Sequence, residues 1–267
     1  MKVFISADIE GAAFTVTRES CRPEGCDYER CRQEMTAEVL AACEGARAAG
    51  ADEVVVKDAH GPGTNLCPEQ MPEYVRLIRG WSNEPRLMIE GLDGSFDAAF
   101  YVGYHSAAGQ EGNALSHTIH GGVVQKITVN GQPASEFQIY SWLAAYYGVP
   151  SVLLSGDRAL CEAGRALHPG LVTVAVKDDV GGRSEGLSPA KARVLIRQGA
   201  EQALRQDLAA AKITLPPHFR VELTYKDHKV AYAKGFYPGA EQVDPCTIAF
   251  ESDDWYEVNR FLVFVIM

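Results

Sequence analysis

No stretch of this 267-residue chain approaches the roughly 18 consecutive apolar residues that a membrane span requires. An apolar segment behind a basic start, the mark of a secretory signal, is also missing, because strand-forming residues begin at Lys2. Positive charge is scarce: 25 Lys and Arg against 35 Asp and Glu leave a net charge of −10. That balance argues against a nucleic-acid backbone or an anionic membrane surface as the main partner. The seven cysteines include no Cys-x-x-Cys pair, whereas structural zinc sites space cysteines two to four apart. Free thiols in a reducing cytoplasm are the expected state, also for the cluster Cys21, Cys26 and Cys31. There is no Walker loop, His-Glu-x-x-His or strand-borne Gly-x-Gly-x-x-Gly. The common nucleotide-binding and zinc-peptidase signatures are thereby excluded.

What the chain does have begins at once. Val3, Ile5, Ala7 and Ile9 alternate with Phe4, Ser6, Asp8 and Glu10, predicting a strand that runs to Gly11. Side chains two apart on a strand share a face, so Asp8 and Glu10 are expected to point the same way. Two buried carboxylates repel each other unless protons, basic side chains or metal ions offset the charge. Apolar residues at helical spacing from Tyr28 to Ala49 follow, with Asp27 as N-cap and Gly50 as stop, and then Val54-Val55-Val56 as a buried strand. Strands at Tyr74–Ile78, Asp97–Tyr104, Val123–Val129, Ser151–Ser155 and Val172–Val176 alternate with helices at Arg86–Gly91, Ser135–Tyr147, Asp157–Leu167 and Ser188–Ala210. Asn130-Gly131 is a hairpin signal. This order predicts an α/β fold, a mainly parallel sheet flanked by helices. Residues 1–212 are expected to form the catalytic domain. Residues 213–267, with strands at Val221–Tyr225 and Thr247–Glu251 and an end at Trp255–Met267 that fits helix or strand, form a smaller α+β subdomain.

Ligand sites in open α/β sheets lie beyond the carboxyl ends of the strands. Here three predicted strands end in Asp8 and Glu10, in Asp58 and His60, and in Tyr104-His105. One such ending is ordinary. Three on one sheet edge make a constellation of imidazole and carboxylate groups that suits zinc or a similar divalent ion. Glu136 and His117 are further candidates, although each alone reads as an ordinary helix-start and loop residue, and His120 is weaker. Gly156-Asp157-Arg158 fits an N-cap with a salt bridge better than an anion site.

Taken together, Ser6-x-Asp8-x-Glu10-Gly11, Asp58-Ala59-His60, Gly103-Tyr104-His105, Ser116-His117, Asn130-Gly131 and Glu136 resemble the zinc-dependent bacterial D-aminopeptidases over roughly residues 1–200. The resemblance implies two zinc ions per chain. Asp8 would bridge them, Glu10 and His105 would complete one site, and His60 with Glu136 the other. His117 would be the catalytic histidine. It further implies hydrolysis of the N-terminal residue from short peptides, and a ring-like homo-oligomer. Three carboxylates against two divalent cations leave one positive charge, which a single further anion neutralises. Lys57 and Ala59 beside Asp58, and the cysteine-rich loop from Ala12 to Cys31, depart from the family pattern. The loop leaves substrate specificity open. Two other readings compete: a dinuclear metallohydrolase for a phosphoester or another amide, for which Lys57 and Arg158 are the nearest basic residues in type, and a non-catalytic peptide-binding protein, which would have lost ligands.

Overall fold

A computed structural model describes all 267 residues. Its frame is a seven-stranded sheet in the order β3-β2-β1-β4-β7-β8-β9. β1 (Lys2–Ala7), β2 (Glu53–Asp58), β3 (Val75–Ile78), β4 (Ala98–Tyr104), β7 (Ser151–Asp157) and β8 (Val172–Val180) run parallel. Only β9 (Arg183–Gly186) is antiparallel, returning on β8 through Gly181-Gly182. Parallel strands buried on both faces read as near-continuous apolar runs, which is why β4 (Ala-Ala-Phe-Tyr-Val-Gly-Tyr) is buried throughout.

The alternation in β1 divides the core. Val3, Ile5 and Ala7 face one cluster, where α1 (Tyr28–Ala48) contributes Val39, Ala42 and Ala46, and α4 (Pro189–Arg205) contributes Ile196, Ala200 and Ala203. Phe4 faces the other cluster, with α2 (Glu136–Tyr146) and α6 (Trp255–Ile266). Ser6, on that second face, is satisfied by the Met88 carbonyl at 2.6 Å and the Tyr104 hydroxyl at 2.7 Å. α3 (Arg158–Leu167) starts at Asp157, whose carboxylate accepts from the Leu160 amide at 2.8 Å. This is the N-cap expected there, and Arg158 pairs with Asp178 at 2.8 Å.

A second sheet of five strands has the order β11-β12-β10-β5-β6. It joins β5 (Val124–Val129) and β6 (Gln132–Pro133), a hairpin closed by Asn130-Gly131, to β10 (Phe219–Tyr225), β11 (Ala240–Asp244) and β12 (Thr247–Ser252). The late strands therefore pair with a hairpin from the middle of the chain, a non-local register that local pattern does not carry. α5 (His228–Lys234) is a short helix beside it. The C-terminal Trp255–Ile266 segment is helical, with Asp254 as its N-cap. Two expectations shift. α4 ends at Arg205 rather than near Ala210, and Arg86–Gly91 holds only a 3₁₀ turn at Leu87–Ile89.

Candidate metal centre

β1 stops at Ala7, not at Gly11. The Asp8 amide still donates to Val102 O at 2.8 Å, but the chain then turns, with Ala12 N bonded to Ile9 O at 3.1 Å. Asp8 and Glu10 thus sit in a turn rather than on one strand face. The cause is a close approach of two backbones. A Cβ at Gly11 would lie 1.8 Å from Tyr104 O, and one at Gly103, whose φ is +74°, would lie 2.3 Å from Asp8 O. Only glycine fits such positions, and their contact brings the Asp8–Glu10 turn against His105.

All six residues singled out in the sequence gather here. His60 Nδ1 lies 3.1 Å from Asp8 Oδ1 and 2.9 Å from Glu10 Oε2. His105 Nε2 lies 3.4 Å from Asp8 Oδ2 and 3.3 Å from Glu136 Oε2. Glu136 enters from the first turn of α2, where Ser135 caps the helix by accepting from Gln138 N at 3.1 Å. His117 Nε2 is 3.7 Å from Glu136 Oε1, and its ring stacks on His105 with centroids 4.3 Å apart. Potential ligand atoms fall into two groups, Asp8–Glu10–His60 and His105–His117–Glu136, each spanning less than 4.8 Å. Among the side chains alone, Glu10 lies against His60, and Glu136 against His105, a different grouping from the one the resemblance implies. Glu10 lies in a turn facing the end of β2, whereas α2 delivers Glu136 to the end of β4. Asp8 keeps its expected middle place, with one oxygen toward each group.

Each imidazole is held by a backbone carbonyl. His60 Nε2 donates to Cys21 O at 2.8 Å, His105 Nδ1 to Ser106 O at 3.0 Å, and His117 Nδ1 to Leu115 O at 2.9 Å. These bonds fix the tautomers and leave the other ring nitrogen, with its lone pair, facing the carboxylates. Asp58 touches no imidazole ring. It accepts from Asn65 N at 2.6 Å, Leu66 N at 2.7 Å and Asn65 Nδ2 at 2.8 Å, and Asn65 Nδ2 also donates to His60 O at 2.7 Å. It therefore pins the loop that carries His60. The carbonyl acceptors of Cys21, Ser106 and Leu115 went unseen in the sequence, since a backbone oxygen carries no residue signature.

Three buried atoms in the centre, Asp8 Oδ2, Glu10 Oε2 and His105 Nε2, make no well-aligned hydrogen bond and face only the site's own imidazoles and carboxylates. Buried polar atoms are almost always satisfied, and three atoms so placed among converging carboxylate and imidazole groups are what a cation would satisfy. Among the protein's own groups, burial and the adjacent Glu10 charge raise the Asp8 carboxyl. Burial opposes the Glu10 charge as well, yet His60 outweighs it and holds that carboxyl well below its usual range. Burial also opposes charging of His60 and His105, but the facing carboxylates push both well above the ordinary imidazole value. A donor set of this composition suits zinc.

A buried polar network backs the centre. Lys177 Nζ donates to Glu10 O at 3.1 Å and Thr15 O at 2.5 Å and pairs with Asp179 at 3.0 Å, both side chains fully buried. Asp179 accepts from Ala114 N at 2.9 Å, in the loop that carries His117. Asp157 accepts from Ser106 N, Ser106 Oγ and Asn113 Nδ2, and Asn113 Nδ2 also reaches Glu10 O at 3.2 Å.

Two cavities open on the site. One, of about 290 Å³, is walled by Trp81, Leu87, Met88, Ile119, Tyr140 and Met267 and reaches Asp8, His60 and Glu136. The other, of about 530 Å³, has Glu10, His60 and His117 on its wall together with Arg18, Arg22 and Lys226. Neither basic residue considered in the sequence serves the site. Lys57 is buried, donating to Gly80 O and lying 3.9 Å over the Trp81 ring, and Arg158 is paired with Asp178.

Strand-end carboxylates and imidazoles converging beside a cavity, on an α/β frame, define a metal-type hydrolase centre. A family model for D-aminopeptidases, peptidase family M55, matches residues 1–264. A D-aminopeptidase of Bacillus subtilis (strain 168) is 30% identical over 265 residues, covering 98% of this chain and 96% of the relative. The solved zinc-dependent D-aminopeptidase DppA from Bacillus subtilis, a self-compartmentalizing protease, superposes with a TM-score of 0.92 at 28% identity, covering 99% of this chain and 96% of its own. The chain belongs to the D-aminopeptidase family of peptidases, and its mainly parallel sheet with an added antiparallel sheet is that fold.

Proposed function

We propose that the chain is a dinuclear zinc aminopeptidase that releases the N-terminal residue of short peptides, with D-residues preferred as in its relatives. The observation that carries this reading is the convergence of Asp8 Oδ2, Glu10 Oε2 and His105 Nε2, none of which makes a well-aligned hydrogen bond. Asp8, Glu10 and His60 would hold one ion, and Asp8, His105 and Glu136 the other. When bound, zinc acidifies water to near neutral pKa, polarises a carbonyl and accepts a free amine as ligand. His117 is the catalytic histidine: it is the most exposed imidazole of the set, with 23% of its side chain open, and it lies on the wall of both cavities. From there it can take or return a proton at the scissile bond, or donate to a developing oxyanion. The Leu115 carbonyl keeps its Nδ1 protonated, so Nε2 is the nitrogen that exchanges. The apolar cavity would receive the side chain of the residue being released. A free, neutral amino group is required, so acetylation removes the substrate.

We further propose a ring-like homo-oligomer, in line with the self-compartmentalizing relative. No helix is long and apolar enough to cross a membrane. The catalytic reading is tested by elemental analysis together with assays of D-Ala-D-Ala, L-Ala-L-Ala and their N-acetyl forms with zinc present. Two equivalents of metal and cleavage of unblocked D-Ala-D-Ala are expected. Cleavage of the acetylated forms at comparable rates would overturn the amine requirement, and cleavage of the L-form alone would overturn the D-preference.

A further inference from the structure

We infer that the larger cavity holds a subsite for the substrate's C-terminal carboxylate, formed by Arg18 and Arg22; this rests on the aminopeptidase reading above. The argument begins with charge. The chain carries a net −10, and nearly every arginine is engaged by an acidic side chain, a carbonyl, a hydroxyl or a thiol. Arg32 binds Glu29 and Cys67, Arg79 Thr64 O, Arg86 Glu84, Arg193 Glu34 and Arg220 Glu251. Arg18, Arg22 and Arg183 have no such partner. Arg18 and Arg22 both line the larger cavity, whose sole carboxylate is Glu10, itself committed to the metal centre. Two unengaged guanidiniums, with Lys226 nearby donating to Gly121 O, on a wall whose sole carboxylate is committed to the centre make an anion-seeking surface. Guanidinium forks match carboxylates in geometry as well as charge.

Their segment is anchored to the metal centre. Thr17 caps the 3₁₀ turn Arg18–Cys21 by accepting from Ser20 N at 3.3 Å. At the end of that turn, Cys21 O accepts from His60 Nε2 at 2.8 Å. This turn and the residue that follows it therefore bond His60 through the Cys21 carbonyl and place Arg18 and Arg22 on the wall of the same cavity. A substrate held at its amino end by the centre is oriented by such a contact at its other end. The cavity, about 530 Å³, is within the range that takes small ligands and suits a di- or tripeptide rather than a protein chain. The class of substrate inferred is a short peptide with both termini free. The turn lies in the cysteine-rich stretch from Ala12 to Cys31, which departs from the family pattern.

The test compares D-Ala-D-Ala with its C-terminal amide on the zinc-loaded enzyme. Wild type should favour the free acid by about tenfold or more in kcat/KM, chiefly through KM, and the preference should shrink with added salt because exposed charges are screened. In an Arg18→Gln/Arg22→Gln double variant the acid-to-amide ratio should fall toward one. Arg183→Gln, which removes an unpaired arginine away from the cavity, should keep the ratio. Saturation-transfer NMR on metal-depleted protein gives a readout without turnover, and the acid should bind better than the amide only with both arginines present. Equal kinetics for acid and amide in wild type, or an equal loss on both in the double variant, would overturn the subsite. Failure to cleave either compound would instead overturn the aminopeptidase reading.

Discussion

Two sets of buried carboxylates lie at the same edge of the main sheet, at the ends of β1, β2 and β7, and they are built differently. Asp157 and Asp58 have both oxygens occupied by donors from the protein, Asp157 from Ser106, Asn113 and the Leu160 amide, and Asp58 from Asn65 and Leu66. Asp8 and Glu10 each keep an oxygen that makes no well-aligned hydrogen bond. A buried carboxylate supplied with amides stabilises the chain around it. One left open at equal burial requires a partner from outside. The first set shapes the loops after β2, β4 and β7, and the second, held by those loops, is left open for a cation.

The largest effect expected from breaking this division is at Asp8. Asp8→Ala should lose both metals, because its two oxygens face the two groups, and with them detectable peptidase activity. Elemental analysis of protein purified without chelators decides it. One ion retained would leave the centre but overturn the shared role of Asp8.

Next comes the network behind the centre. Lys177→Met leaves Asp179 charged, buried and without its cation, a change that costs about 3–5 kcal/mol in comparable sites. Urea unfolding of the apo protein should show it. The double variant Lys177→Met/Asp179→Leu should regain most of that stability, because both charges are gone. It should still bind zinc about 10–100-fold more weakly, the usual scale for losing an outer support, since the bond from Lys177 to Glu10 O is lost. Wild-type zinc affinity in the double variant would show that the pair supports the fold alone.

His117 separates binding from chemistry. His117→Ala should keep both metals yet lose turnover by at least about a hundredfold, the scale of one acid–base or oxyanion group. Full activity in a metal-replete variant would return His117 to an ordinary loop residue.

The gathering of Asp8, Glu10, His60 and His105 was legible because each follows a strand with a recognisable apolar run, and strand ends in a parallel sheet meet on one edge. Glu136 and His117 stood out only weakly in local sequence, where a helix-start glutamate and a loop histidine are commonplace, and the resemblance gave them their weight. The grouping of Glu10 with His60 was not legible because it depends on the turn at Ile9–Gly11, and the backbone contact between Gly11 and Gly103 that forces this turn joins residues 92 positions apart. The supporting network was invisible for a similar reason. Lys177 and Asp179 read as a charged strand end, and only the sheet brings them under Glu10 and Ala114.

The histidines allow the smallest and cleanest test of the opening contrast. His60 and His105 are buried among carboxylates, which raise them. His168 is comparably buried but faces Phe137 and the Ser141 hydroxyl, with no carboxylate near, and desolvation lowers it to about 4. Its folded value lies below the ordinary value near 6.5, so below that pH the unfolded chain binds a proton that the folded chain refuses. The stability that His168 contributes is thus complete above about pH 6.5 and is lost as pH falls toward 4, by roughly 2 kcal/mol at pH 5. His168→Gln can keep a hydrogen bond to Ser141 but cannot titrate. The metal-site histidines titrate alike in both proteins, so they cancel in the difference. Urea unfolding of wild type and variant from pH 7.5 to 5 should show the wild type losing about 2 kcal/mol more than the variant. Parallel pH profiles would mean that His168 is hydrated in solution, and would remove the distinction between a buried imidazole that awaits an ion and one that fills the core.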